Sequence, residues 1–158
     1  AVTLDPDTAH PDLVLSEDQK SVRRRPEAPG DLPDHPARFN YWPFVLAHQG
    51  FSGGRHSWEV EVGDGGDWAL GVARESIPRK GHLSLGPQGG LWALEKWGGQ
   101  LRALTGRKVT LLPLRSLPRR VSVRLDYPGG TVAFFDAEEG GLIFIFSRAT
   151  FTGEKILP

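Results

Sequence analysis

Ser52 is the residue whose neighbours best fit a catalytic motif. Gly50-Phe51-Ser52-Gly53-Gly54 follows the G-x-S-x-G pattern of a nucleophile elbow, in which a strand precedes the serine and a helix follows it. Here the alternating pattern of a β-strand at 58–62 follows almost at once. We therefore interpret the segment as a glycine-rich turn, and a serine hydrolase that uses Ser52 is only a remote alternative.

The remaining chemistry-bearing residues argue against a metal centre or a cofactor. The chain has no cysteine, which excludes disulfides, thiolate catalysis and Cys-based zinc sites. No two of its five histidines have metal-ligand spacing on one element: His10, His35, His48, His56 and His82. Neither phosphate-binding pattern, G-x-x-x-x-G-K-[ST] or G-x-G-x-x-G, occurs. We expect no metal, no cofactor and no enzymatic activity.

Charge and length restrict the class of partner. Lys+Arg and Asp+Glu number 19 each, so the 158-residue chain lacks the basic surplus of a nucleic-acid binder. It also lacks the surplus expected at an anionic membrane, and no apolar run is long enough to cross a bilayer. We expect one domain in the cytoplasm, without nucleic-acid or direct membrane contact.

The elements that must carry any site are short strands. The chain contains 20 glycines and 13 prolines, and the longest stretch free of both is 12–25, so helices of ordinary length have almost nowhere to form. Apolar and polar residues alternate at 56–62, 68–72 and 121–126, which predicts half-buried strands. The apolar run 142–146 favours a strand covered on both faces over a short buried helix. The pattern predicts an all-β sandwich with little helix.

The tryptophans divide into two groups. Trp58, Trp68 and Trp92 fall within strand patterns, which predicts core positions. Trp42 follows a proline-rich loop, and Trp97 stands between charged residues and Gly98-Gly99 near a predicted loop tip. Exposed aromatic side chains are enriched at interfaces, so we expect Trp42 and Trp97 to contact a partner.

Several segments, in order, resemble the PRY-SPRY family. Residues 4–11 resemble the opening of a PRY segment, and 15–23 its next strand pair. The segment 50–63, GFSGGRHSWEVEVG, is similar to the hallmark that joins PRY to SPRY, and WALGVAR at 68–74 is a further match. The resemblance covers essentially the whole chain.

This resemblance implies a bent antiparallel two-sheet β-sandwich, of the concanavalin A-like jelly-roll type. It also implies a single unit, with a PRY part at 1–50 and a SPRY part at 51–158. The family usually continues for another strand or two, so we expect its last strands to be missing beyond 155–158. We expect the missing flanking regions to set the oligomeric state.

Members of this family bind a protein or peptide through variable loops and have no enzymatic activity of their own. The resemblance therefore implies a partner-recognition module, with the substrate-recruiting domain of a tripartite-motif ubiquitin ligase as the leading hypothesis. A ligand-sensing cytoplasmic domain of a butyrophilin-like receptor is the alternative. The family also includes pyrin-like innate-immune proteins.

Carry-over from the relatives gives a set of expected partner-binding residues: Tyr41, Trp42, Phe44, Asp64, Asp67, Glu95, Trp97 and Arg102. Trp97 matches a tryptophan that the antibody-binding tripartite-motif protein uses at its Fc contact, but Glu95 replaces the companion tryptophan, which argues against Fc binding. Phosphoantigen-binding butyrophilins use a basic pocket. Of the positions in this chain that match the pocket, only Arg102 and Lys108 are cationic. This argues against a diphosphate ligand.

Overall fold

The computed structural model describes residues 2–27, 32–63, 66–106, 109–112 and 116–158. These residues form antiparallel strands and a single 3₁₀ turn at Pro87–Gly89. The strands are β1 (Leu13–Leu15), β2 (Val22–Arg24), β3 (Arg55–Glu61), β4 (Trp68–Arg74), β5 (Leu91–Trp97), β6 (Gln100–Leu104), β7 (Val109–Leu111), β8 (Arg120–Asp126), β9 (Thr131–Asp136), β10 (Leu142–Phe146) and β11 (Ile156–Leu157). The prediction of an all-β fold with little helix is confirmed.

Two antiparallel sheets form the body of the molecule. One has the strand order β10-β9-β8-β3 and the other the order β11-β4-β5-β6-β7, while β1 and β2 form a separate hairpin. β5 pairs with β6, and β8 with β9, across short turns, whereas β4 pairs with β5 across the longer segment 75–90. The predicted antiparallel two-sheet β-sandwich is therefore confirmed.

The main core lies between the sheets and explains the alternating sequence pattern. Val121, Val123 and Leu125 of β8 are at most 1% exposed, while the residues between them face outward. Trp92 of β5 is 1% exposed, as predicted. Trp58 and Trp68 are only half-buried and pack against the border of this core.

A second core lies on the outer face of the five-stranded sheet. Phe39 and Leu46 from the N-terminal segment, with Ile77 and Leu83 from the loop after β4, are buried in it. They cover sheet residues on one end of the strands: Ala73, Leu91, Ala93, Leu104 and Leu157. Full burial of one such side chain contributes about 1.5–3 kcal/mol, so this packing holds the N-terminal segment on the sheet.

Arg79 fastens the loop after β4 to the N-terminal segment. Its guanidinium donates hydrogen bonds to the carbonyl oxygens of Ala37 (2.8 Å), Glu75 (2.7 Å) and Ile77 (3.1 Å). It also lies 5.4 Å from the ring centroid of Phe39. Burial lowers the pKa of Arg79, against the opposing effect of nearby carboxylates. The guanidinium thus replaces water as the donor to three backbone carbonyls.

Loss of the Lys80 ammonium is expected to raise the pKa of Asp34. Lys80 Nζ donates to Asp34 Oδ1 (2.7 Å), and this hydrogen bond, followed by charge attraction, lowers the pKa of Asp34 below its usual value. A depressed folded-state pKa contributes stability above the ordinary carboxyl pKa, and the contribution is lost as the pH falls through the folded-state pKa. NMR titration of the Asp34 carboxyl carbon in wild type and Lys80→Met measures the change. Identical midpoints would disprove the contact.

The run 142–146 forms strand β10, as predicted, but it is not covered on both faces. β10 is the last strand of its sheet, and its register shifts between Leu142 and Phe144. Phe146 faces the core, whereas Leu142 is 53% and Ile145 42% exposed. The expectation of two covered faces was wrong because an apolar run alone does not reveal which strand ends a sheet.

Candidate partner-binding surface

One end of the outer face of the five-stranded sheet is not covered by any other segment among the residues that the structure describes. The register aligns Ala69, Glu95, Arg102 and Leu111 in a row across β4 to β7. The next row, which contains Ala93, is covered by the second core and lies about 6.8 Å away along the strands. We call the uncovered row, together with Trp97 beyond it, the open face.

An ion pair occupies the middle of the open face. Arg102 Nε donates to Glu95 Oε1 over 3.0 Å, and Arg102 Nη2 donates to the same oxygen. Both side chains are about three-quarters buried, at 24% and 22% exposure. Directly opposed residues of unlike charge stabilise a sheet modestly. The pair leaves the centre of the face polar but close to neutral.

Trp97 lies on the open face at the end of β5, beside the turn that joins β5 to β6. Gly98 (φ 57°) and Gly99 (φ 78°) connect β5 to β6, and two successive positive φ angles suit a type I′ turn, which favours glycine. The Gly98 N–H donates to Asp67 Oδ1 (3.1 Å), which ties the turn to the start of β4. Trp97 is 58% exposed, so the hairpin presents a large apolar surface to solvent.

A cluster of rings, which we call the aromatic corner, packs on the second core next to the covered row. It consists of Tyr41, Trp42, Phe44 and His82. Trp42 contacts each of the others at centroid distances of 4.9 to 6.2 Å. Its indole N–H donates to the Leu83 carbonyl (3.4 Å), so Trp42 is half-buried and fixed, while Tyr41 remains 53% exposed.

The structure places the expected partner-binding residues in three groups. Glu95, Trp97 and Arg102 lie together on the open face, and Tyr41, Trp42 and Phe44 belong to the aromatic corner. Asp67 is exposed beside the hairpin, where its carboxylate supports the turn. Asp64 lies outside the described residues, as does Lys108.

Sequence reasoning missed two members of the surface, His82 and Leu111. Leu111 is 56% exposed at the end of β7, beside Arg102. The β-branched Val109 and Thr110 before it are typical of a strand and were the available signal. His82 contacts Tyr41 and Trp42 with its ring, and nothing in its sequence context indicates this.

Ser52 does not have the surroundings of a nucleophile elbow. It is exposed in a bend that is followed by strand β3 from Arg55, where the motif requires a helix. His56, four residues after Ser52, uses its Nε2 in a 2.7 Å hydrogen bond with the Gly53 carbonyl.

The described part of the chain contains neither a metal-binding cluster nor a membrane-spanning helix. No group of three His, Asp or Glu side chains there is arranged to hold a metal ion. Among the same residues, no helix has the length and apolarity that a membrane crossing requires.

A shallow groove of about 360 Å³ lies on the outer face of the other sheet. Arg55, Arg124, Asp126 and Phe135 are among its lining residues. Asp126 already pairs with Arg55 (3.5 Å) and accepts from the Gly129 N–H, and Arg124 lies 4.2 Å from the Phe135 ring. The polar groups of this groove therefore largely satisfy one another, and the open face is the stronger candidate.

The open face has the composition of a protein-interaction surface. Exposed Trp97 and Leu111 offer apolar area on rigid strands, a central ion pair offers donors and acceptors, and a tyrosine projects from the aromatic corner. Such surfaces use a few large anchors surrounded by polar groups. The class of protein defined here is thus a binding module built on a β-sandwich.

Comparison with known proteins identifies the family. Residues 2–51 match the PRY family, described as SPRY-associated domain, and residues 55–158 match the SPRY domain. The chain belongs to the PRY-SPRY family, whose domains are protein-interaction modules.

The relatives include proteins of both butyrophilin and tripartite-motif type. Butyrophilin subfamily 1 member A1 of Bos taurus is 50% identical over 152 residues, which cover 96% of this chain and 28% of that protein. Human zinc finger protein RFP is 48% identical over 153 residues, covering 96% of this chain and 29% of that protein. This chain thus spans less than a third of their length.

A solved structure supports the same family. The crystal structure of the TRIM65 PSpry domain superimposes with a TM-score of 0.81 at 26% identity, covering 99% of this chain and 82% of that chain. The chain also resembles stonustoxin, with a TM-score of 0.79 at 30% identity over 24% of that chain.

Proposed function

We propose that this domain recruits a protein partner through the open face and the exposed part of the aromatic corner. We further propose that it is the substrate-recruiting domain of a tripartite-motif E3 ubiquitin ligase in the cytoplasm. The observation that carries the proposal is Trp97, which is 58% exposed although it ends a strand whose other residues are mostly buried. An exposed tryptophan on a paired strand is typical of an interface anchor.

The mechanism is binding by a preformed surface. The paired strands β4, β5 and β6 fix the positions of Ala69, Glu95 and Arg102, so little conformational entropy is lost when a partner docks. An apolar side chain of the partner packs on Trp97 and Leu111. A polar group of the partner meets the Glu95–Arg102 pair, which gives specificity because a mismatched group leaves that pair poorly satisfied.

The charge distribution favours a protein over a phosphorylated small molecule. Nε and Nη2 of Arg102 already donate to one carboxylate oxygen of Glu95, so the charge of its guanidinium is compensated. A diphosphate would have to displace that carboxylate. The overall balance of 19 basic and 19 acidic residues likewise supports a protein partner rather than a nucleic acid.

The butyrophilin-type receptor is the second candidate function. It is favoured by the 50% identity to butyrophilin subfamily 1 member A1, which is close to the 48% found for the zinc finger protein RFP. In that case the same surface senses an intracellular ligand and no ubiquitin is transferred. The segments that precede this domain in the parent protein distinguish the two: a RING and coiled coil, or immunoglobulin domains and a membrane helix.

The test is affinity capture from cytosolic lysate with wild type and a Tyr41→Ala/Trp97→Ala variant. We expect partner proteins to be captured by wild type and lost with the double variant, because two exposed anchors are removed. Val22→Ala, which truncates a 43% exposed side chain on the separate β1-β2 hairpin, is the matched control and should retain them. Equal capture by all three proteins would refute the open face as the binding surface. The ligase hypothesis would be supported if the partner is no longer ubiquitinated in cells that express the parent protein with the Trp97→Ala substitution.

A further inference from the structure

Strand β10 ends the four-stranded sheet and exposes an apolar edge. Its sequence, Leu-Ile-Phe-Ile-Phe, has no charged residue. β9 is its only partner strand among the described residues, so the backbone on the other side has no strand to bond. Leu142 is 53% and Ile145 42% exposed. An edge of this kind is ready to pair with another strand.

The opposite edge of the same sheet is protected. Strand β3 carries Arg55, Glu59 and Glu61, and charged side chains on an edge discourage pairing with another chain. Proline, a very short strand or a covering loop serve the same purpose, and β7 is only three residues long. β10 has a bulge but neither charge nor proline, so it differs from both of these edges.

Charges flank β10 in an asymmetric way. Glu138 and Glu139 stand in the turn before the strand, and Arg148 stands two residues after it. All three side chains are exposed and none forms an ion pair within the described part of the chain. The strand is thus acidic at its start and basic at its end.

We propose that β10 pairs antiparallel with β10 of a second copy of this chain. Centred on Ile145, the pairing sets Phe144 opposite Phe146 on the core face and Ile145 opposite its own copy on the outer face, so these contacts are apolar. The two four-stranded sheets then form one continuous sheet. Such an isologous contact closes on itself as a dimer.

Charge complementarity selects this arrangement. In the antiparallel dimer the acidic turn of each copy meets Arg148 of the other, and the attraction occurs twice. Parallel pairing in register would instead place Glu138 and Glu139 against the same residues of the other copy, which repels. Because the open face lies on the other sheet, the dimer leaves both binding surfaces uncovered. The two linked sites then raise the avidity for a partner that carries two epitopes.

The experiment is sedimentation velocity of the chain from about 1 to about 300 µM, a range that detects micromolar dimers. We expect a concentration-dependent dimer in wild type and a monomer in Ile145→Lys, because a charge is placed in the apolar contact. Leu111→Lys, a matched change at an exposed leucine on the other sheet, should leave the dimer intact. Circular dichroism confirms that each variant is folded.

Charge reversal tests the register independently of any loss of folding. Arg148→Glu should weaken the dimer about 3- to 10-fold, and the further changes Glu138→Arg and Glu139→Arg should restore it. A wild type that stays monomeric throughout the range, or a dimer that survives Ile145→Lys or is lost with Leu111→Lys, overturns the proposal. Failure to restore the dimer by the reversed charges overturns the antiparallel register.

Discussion

Replacement of Arg79 by methionine is expected to lower the free energy of unfolding by about 2–4 kcal/mol. The Arg79 guanidinium donates to the carbonyl oxygens of Ala37, Glu75 and Ile77. Methionine has a similar length but no donor, so the partly buried carbonyls of Ala37 and Ile77 lose their partner, and each unsatisfied group costs about 1–3 kcal/mol. Part of this cost is recovered where water reaches them.

The change should also weaken partner binding. Arg79 lies three residues from His82 and four from Leu83, whose carbonyl accepts the Trp42 indole N–H. Loosening of this loop therefore disturbs the aromatic corner. Urea denaturation gives the stability change, and binding to a captured partner gives the second effect. Arg55→Met is the control, because the Arg55 side chain is 82% exposed and should change stability by less than about 0.5 kcal/mol. Equal effects of the two substitutions would contradict the role assigned to Arg79.

The alternating pattern was sufficient to predict strands β3, β4 and β8. In β8, Val121, Val123 and Leu125 alternate with polar residues, and the structure buries those three side chains completely. Apolar residues at every second position place all apolar side chains on one face of a strand, so the pattern indicates a strand with one covered face. The same holds for the turn at Gly98-Gly99, because its two residues have positive φ angles, a left-handed conformation that favours glycine.

Other features depend on contacts between distant segments, which the local pattern does not contain. Trp42 looked like a loop aromatic, yet its indole bonds the Leu83 carbonyl, 41 positions away. Ala69, Glu95 and Arg102 form one row only because β4, β5 and β6 pair in a particular register. Family resemblance supplied Glu95 and Arg102, while the sheet register explains why they lie side by side.

Truncation of Trp92 and of Trp97 to alanine should have opposite consequences, although both belong to β5. Trp92 is 1% exposed, and its ring lies 5.2 Å from that of Phe151 and 5.3 Å from the Arg74 guanidinium carbon. Trp92→Ala leaves a cavity in the main core and should cost about 3–5 kcal/mol of stability. Trp97 is 58% exposed, so Trp97→Ala should change stability by less than about 1 kcal/mol.

The pair of variants separates stability from recognition on a single strand. Trp97→Ala should keep the melting temperature within a few degrees of wild type and lose partner binding by a factor of about 30 or more, because an interface anchor contributes about 2 kcal/mol or more. Trp92→Ala should lower the melting temperature strongly, and any binding it retains at low temperature should be close to that of wild type. Calorimetry and titration with a captured partner measure the two effects. If Trp97→Ala destabilises the fold as much as Trp92→Ala does, the exposed tryptophan is a packing residue and the open face loses its anchor.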